Sequence, residues 1–162
     1  MAVATVEPVT DTLSTSDVIE RVLGDHPDVR QHLAEAWSAA WDAVDPVLLE
    51  LCRLRVAMLL GCRPELEVRT PAAVEAGLDE GTVAVLADWP RAERFGPTER
   101  ACLAFTEQFV IDVAGMDDRT VGSVRQQLGD QGLADFTTAL LVIEQRQRLR
   151  QTWTRVFGRD DG

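Results

Sequence analysis

Apolar residues along the first half of the chain recur at steps of three and four. Val29, Leu33, Ala36, Trp37, Ala40, Trp41 and Val44 mark one face of a helix that starts at Pro27 and runs to about Val44. Asp45 and Pro46 then open a second helix, VLLELCRLRVAMLL, which is apolar nearly all round and is therefore expected to be buried on most sides. Gly61 interrupts the pattern. CRPELEVRTPAAVEAG reads as a further helical stretch in which Pro64 is tolerable only in the first turn. Upstream, residues 14–17 offer N-cap side chains for a short helix through Leu23, stopped by Gly24, whereas residues 1–13 (MAVATVEPVTDTL) lack a sustained period and read as a loose arm. Downstream, Gly77, Leu78 and Asp79 precede a short helix ending near Ala87, and DWPRAERFGP is a turn-rich connector exposing two arginines. Pro97, Thr98 and Glu99 begin a long helix with Cys102, Phe105, Phe109 and Val113 as its core stripe, ended by Gly115. Asp117 caps a helix to about Leu128, and Asp130 starts the last one, which runs to Val156. No period-two strand survives. The expectation is an all-α fold of about seven or eight helices, one domain over residues 14–162, centred on the two stretches joined near Gly61.

Length and composition narrow the function classes. The 162 residues and 17.9 kDa fit one domain with a full core, and 46% hydrophobic with 27% charged residues excludes a wholly disordered chain. A net charge of −11 repels phosphate backbones and anionic head groups, so neither nucleic acid nor a membrane surface is an expected partner. The arginine-rich stretch RQRLRQTWTR, with Trp153, accordingly reads as a solvated face or a subunit contact. All 16 basic residues are arginines, and lysine, tyrosine and asparagine are absent. That removes Schiff-base chemistry, the ordinary phosphate loop and any phenolic acid or base. His26, His32, Cys52, Cys62 and Cys102 are too scattered for a structural zinc site, so no metal or cofactor is expected. The sparse, odd cysteine count and the absence of a leader or a membrane-length apolar run read as cytoplasmic.

The informative segment is LLELCRLRVAMLLGCRPELEVR. Glu50 and Cys62 stand twelve positions apart, Glu65 follows three residues later and Arg69 four after that. Residues 97–107 (PTERACLAFTE) and the VIEQRQRL run, with Gln147, Arg148 and Leu149, add to the pattern. Together these resemble the alkylhydroperoxidase D (AhpD-like) and carboxymuconolactone decarboxylase superfamily over residues 27–157. Its signature is a glutamate, then a C-x-x-C pair twelve positions on, then a histidine four residues later. Glu50 and Cys62 fill the first two places, Glu65 replaces the second cysteine and Arg69 replaces the histidine. Gln147 stands where the closing helix of the family has asparagine. The resemblance implies an AhpD-like helical bundle, assembly into homo-oligomers (trimers or hexamers), and a buried pocket around these positions.

The replacements change the chemistry. Disulfide cycling needs a resolving thiol within reach, and Glu65 occupies its place. Cys52 or Cys102 would substitute only within about 7 Å between Cα atoms, and their core-like settings read as packing. Arg69 cannot carry protons as the histidine would, because guanidinium does not titrate in the working range. Two functions stay open. One is an enzyme acting by acid/base chemistry on a small carboxylate or lactone, with Glu50, Cys62 and Glu65 as catalytic candidates and Arg69 and Arg148 as candidates for holding the substrate. The alternative is a non-catalytic oligomeric scaffold or partner subunit; a one-cysteine peroxidase ranks third. In the structural alternative Glu65 and Arg69 are an i, i+4 pair on one helix, Glu50 pairs with Arg53 or Arg55, and Cys62 only packs. An unbroken helix would hold Glu50 roughly 18 Å from Cys62, so the motif closes only if the chain bends near Gly61.

Overall fold

The computed structural model describes residues 18–157; the expected arm over residues 1–13 and the cap over residues 14–17 lie outside them. Its helices are α1 (Val18–Val22), α2 (Pro27–Ala43), α3 (Pro46–Leu60), α4 (Arg63–Leu66), α5 (Pro71–Glu75), α6 (Glu80–Ala84), α7 (Pro97–Asp112) and α8 (Asp118–Phe157). No strand occurs among the described residues, and none of their helices is long and apolar enough to cross a membrane. Seven or eight helices is slightly off as a picture of the bundle, because α2, α3, α7 and α8 do most of the packing and four of the other stretches are turns of four or five residues.

Local chemistry sets the ends of α3. The Asp45 carboxylate accepts a 2.8 Å hydrogen bond from the Leu48 backbone N–H, and Pro46 takes the first helical position, where a missing N–H costs nothing. At the far end Gly61 adopts φ 66°, a left-handed conformation that glycine enters without Cβ strain, and Gly61 and Cys62 return their N–H groups to the Met58 and Ala57 carbonyls. Gly129, at φ 75° and ψ 178°, breaks α8 in the same way, between the two helices expected at residues 117–128 and 130–156.

The helix that is apolar all round is the buried one. Leu49, Leu51, Cys52, Leu54, Val56 and Ala57 of α3 are almost completely enclosed between α7 and α8. Phe136 of α8 meets Phe105 of α7 edge-on at 5.8 Å, while Trp37 and Trp41 of α2 meet at 5.7 Å with Arg146 over the Trp37 ring. The connector is more than exposed turns. Its Trp89 and Phe95 are buried, and Arg100 of α7 donates to the carbonyls of Trp89, Pro90, Ala92 and Phe95.

Two expectations need correction. CRPELEVRTPAAVEAG is not one helix: α4 stops at Leu66 and α5 starts only at Pro71. Pro71 offers no N–H and its ring disfavours the helical region for the preceding residue, so Thr70 is extended at φ −72°, ψ 140°. Val113 does not continue the α7 core stripe and is 61% exposed, because α7 ends at Asp112 and a 3₁₀ turn over Val113–Gly115 carries the side chain outward.

Candidate functional site

Glu50 and Arg53 are one helical turn apart on α3, the first completely buried and the second 1% exposed. A charge enclosed this far must be paired and hydrogen-bonded. Arg53 meets that requirement with all five of its N–H groups. Its Nε and Nη2 donate to Glu50 Oε2 and Oε1 at 2.8 and 2.6 Å, in the parallel two-bond geometry favoured between guanidinium and carboxylate. Nη1 donates to the Glu65 carboxylate at 2.7 Å and to the Glu65 carbonyl at 2.9 Å. The remaining Nη2 hydrogen goes to the Val68 carbonyl at 2.9 Å. Burial opposes the Arg53 charge, but the hydrogen bonds and charges of Glu50 and Glu65 outweigh it and hold the guanidinium above its ordinary pKa.

The acids are equally engaged. Glu50 also accepts from the Thr70 hydroxyl at 3.0 Å and the Thr70 backbone N–H at 3.3 Å. Glu65, only 4% exposed, accepts on its other oxygen from Arg150 of α8 at 2.8 Å. The bend at Gly61 therefore does close the motif, through a shared arginine: α3 runs one way, the chain reverses, and Glu65 returns to the same guanidinium that Glu50 holds. Three side chains of α8 fasten this turn. Gln147 donates to the Arg53 carbonyl at 3.0 Å, Arg150 binds Glu65, and Gln151 donates to the Leu60 carbonyl.

Cys62 precedes α4 and is buried. Burial pushes its thiol pKa up, and the Glu65 charge pushes further; the Glu65 amide, Arg150 and Arg53 pull the other way and do not prevail. Cys52 and Cys102 are free thiols inside the core, as Cys62 is at the turn. Burial raises Cys52 to about 12 against a hydrogen bond with Thr106, and raises Cys102 with help from Cys52 and Glu99. None of the three is poised as a thiolate.

Of the residues proposed from sequence, Glu50, Cys62 and Glu65 converge on this turn, and Arg69 and Arg148 do not join it. Arg69 is not the i, i+4 partner of Glu65, because the helix that would align them is broken before it. It binds Glu80 at 2.8 and 3.1 Å and meets the cluster only at the Val68 carbonyl, which it shares with Arg53. Arg148 is half-exposed and pairs with Glu144 one turn back on α8. Arg55, the other cation considered for Glu50, binds Glu107 instead. The sequence reading missed Thr70 and underweighted Arg53 and Arg150. For Arg53 a signal existed, since a glutamate and an arginine one turn apart within an apolar helix have only each other for neutralisation. No trio of His, Cys, Asp or Glu is placed to hold a metal among the described residues. Grooves of about 390, 280 and 50 Å³ on the described surface are lined by none of Glu50, Arg53, Cys62, Glu65 and Thr70.

Comparison with known proteins agrees with this arrangement at the level of family and fold. The profile of the Carboxymuconolactone decarboxylase family matches residues 27–108, just over half of the chain, including α3, the Gly61 turn and the start of α7. Among solved structures, the chain is similar to an Agrobacterium tumefaciens protein of unknown function that carries the suggested name antioxidant defence protein AhpD. The TM-score is 0.74 at 16% identity, over 82% of this chain and 92% of the other. Comparison with curated proteins gives no match. With the motif positions gathered at the Gly61 turn and the family profile running through them, the chain belongs to the carboxymuconolactone decarboxylase family, on an AhpD-like all-α fold.

Proposed function

We propose that this chain is a non-catalytic member of its family, a helical subunit whose motif positions act as an internal brace and which assembles with copies of itself. One observation carries the reading. The space between Glu50 and Glu65, where a substrate would have to enter for either carboxylate to exchange a proton with it, is filled by the Arg53 guanidinium with every N–H donated. Acid/base chemistry on a small carboxylate or lactone, the competing reading, would need those oxygens free, and both oxygens of Glu50 already take two donors each. The arginines that would hold the substrate, Arg69 and Arg148, lie outside this cluster, where they pair with Glu80 and Glu144. Peroxide chemistry fares no better, with a buried, protonated thiol at Cys62 and a carboxylate where a resolving thiol would stand.

The test is turnover. Purified protein is incubated with an organic hydroperoxide and a dithiol, and separately with candidate lactones and acids, beside Cys62→Ser and Glu50→Gln. Background rates for all three proteins are expected. Turnover that disappears in either variant while the variant keeps its helical circular dichroism would overturn the reading.

Assembly is supported by the large apolar side chains left on the surface, among them Ile111, Val113, Leu141, Val156 and Phe157. Sedimentation at micromolar concentration is expected to give a mass that is a multiple of 17.9 kDa. A mass equal to one chain would refute this part.

A further inference from the structure

Towards its C-terminal end α8 carries a second polar surface that the buried brace does not use. Arg148, Gln151, Thr152 and Arg155 follow one another at steps of three, one and three, so they share one stripe of the helix, and with Leu60 at the end of α3 they line a groove of about 280 Å³. Gln151 spends its amide N–H on the Leu60 carbonyl and so fixes the groove against α3. Arg148 gives Nε and Nη2 to Glu144, with Nη2 also 3.4 Å from the Val110 carbonyl, which leaves Nη1 without a partner among the described residues. Arg155 and the Thr152 hydroxyl make no hydrogen bond or ion pair among the described residues.

With a net charge of −11 the protein has carboxylates to spare, and Arg53, Arg55, Arg69, Arg91, Arg94, Arg125 and Arg150 each have one within 4 Å. Among the described residues this groove holds two guanidinium groups, Arg148 and Arg155, against the single carboxylate of Glu144, so they leave it with positive charge. We propose that it binds a small organic acid with two or three carboxylates, one on the Arg155 fork and another on Arg148 Nη1 and the Thr152 hydroxyl. The helix itself selects for this class. The end of α8 carries partial negative charge, so an anion gripped at one point is poorly held, and residues seven apart place the two arginine Cα atoms about 10 Å from each other along the axis. A ligand with separated carboxylates can engage both arginines; acetate cannot. Nor does a single phosphate span them.

Titrate the full-length, ¹⁵N-labelled protein with citrate at constant ionic strength, with acetate and inorganic phosphate as parallel arms. Citrate is expected to give saturable shifts of the Gln151, Thr152 and Arg155 amides in the millimolar range. Arg155→Gln, checked for an unchanged melting temperature, should weaken binding about tenfold, the worth of one charge-assisted pair. Arg91→Gln, a substitution of an exposed arginine elsewhere, should leave binding unchanged. Shifts that never saturate, equal binding of acetate or phosphate, or equal loss in both variants would overturn the proposal. The groove is independent of the brace reading, since lactone turnover would remove that reading and leave the citrate titration as it stands.

Discussion

Arg53→Met is expected to lower the stability of the folded protein by about 3–5 kcal/mol, the usual loss when one partner of a buried ion pair is removed. Methionine matches much of the volume of arginine, so the loss is electrostatic more than steric. What the substitution leaves behind decides its size: Glu50 loses two donors and keeps only Thr70, while Glu65 keeps only Arg150. Both carboxylates remain enclosed. Urea denaturation followed by circular dichroism gives the number, or shows that no cooperative transition remains. The triple variant Arg53→Met with Glu50→Gln and Glu65→Gln removes the unpaired charges as well, and should recover a large part of the loss. A single variant as stable as the parent would show that the cluster braces nothing. A triple variant no better than the single one would show that the loss came from packing.

Glu65→Cys restores the C-x-x-C spacing and is expected to cost about 2–3 kcal/mol, the penalty for leaving a buried charged donor without its acceptor. Arg53 keeps Glu50 as counter-ion but loses a 2.7 Å hydrogen bond in a place that water does not reach. Arg150 loses Glu65 as a partner, yet its side chain is 23% exposed and can turn towards solvent. Arg150→Gln should therefore cost less, below about 1 kcal/mol, as partly exposed pairs do. The ranking of the three urea midpoints, with Arg53→Met lowest, then Glu65→Cys, then Arg150→Gln, tests where the weight of the cluster lies. If Glu65→Cys were as stable as the parent, the shared-arginine account of Glu65 would fail.

Periodicity and end signals carried much of the architecture. Asp45 with Pro46 and the left-handed Gly61 bound α3 because capping and φ preferences act within a few residues, and Gly129 breaks α8 for the same reason. The apolar circumference of α3 implied burial on most sides, since no other setting hides it. Beyond local rules, the spacing of Glu50 and Cys62 and the runs around Arg100 and Arg148 were enough to indicate the family. Where the reading failed, a local signal competed with a neighbouring one. Helical propensity across residues 62–76 lost to Pro71 acting on Thr70, and the α7 stripe lost Val113 to the turn closed by Gly115.

The sequence by itself determined the all-α class, the long helices and the position of the bend, because each depends on side chains and backbone a turn or two apart. Only the tertiary structure decided what the bend is for. Glu65 finds Arg53 twelve positions back and Arg150 eighty-five positions ahead, and Thr70 finds Glu50 across twenty. No period along the chain encodes such meetings. They arise when α3, the Gly61 turn and α8 exclude water from one small volume, and the charges trapped there have to satisfy one another.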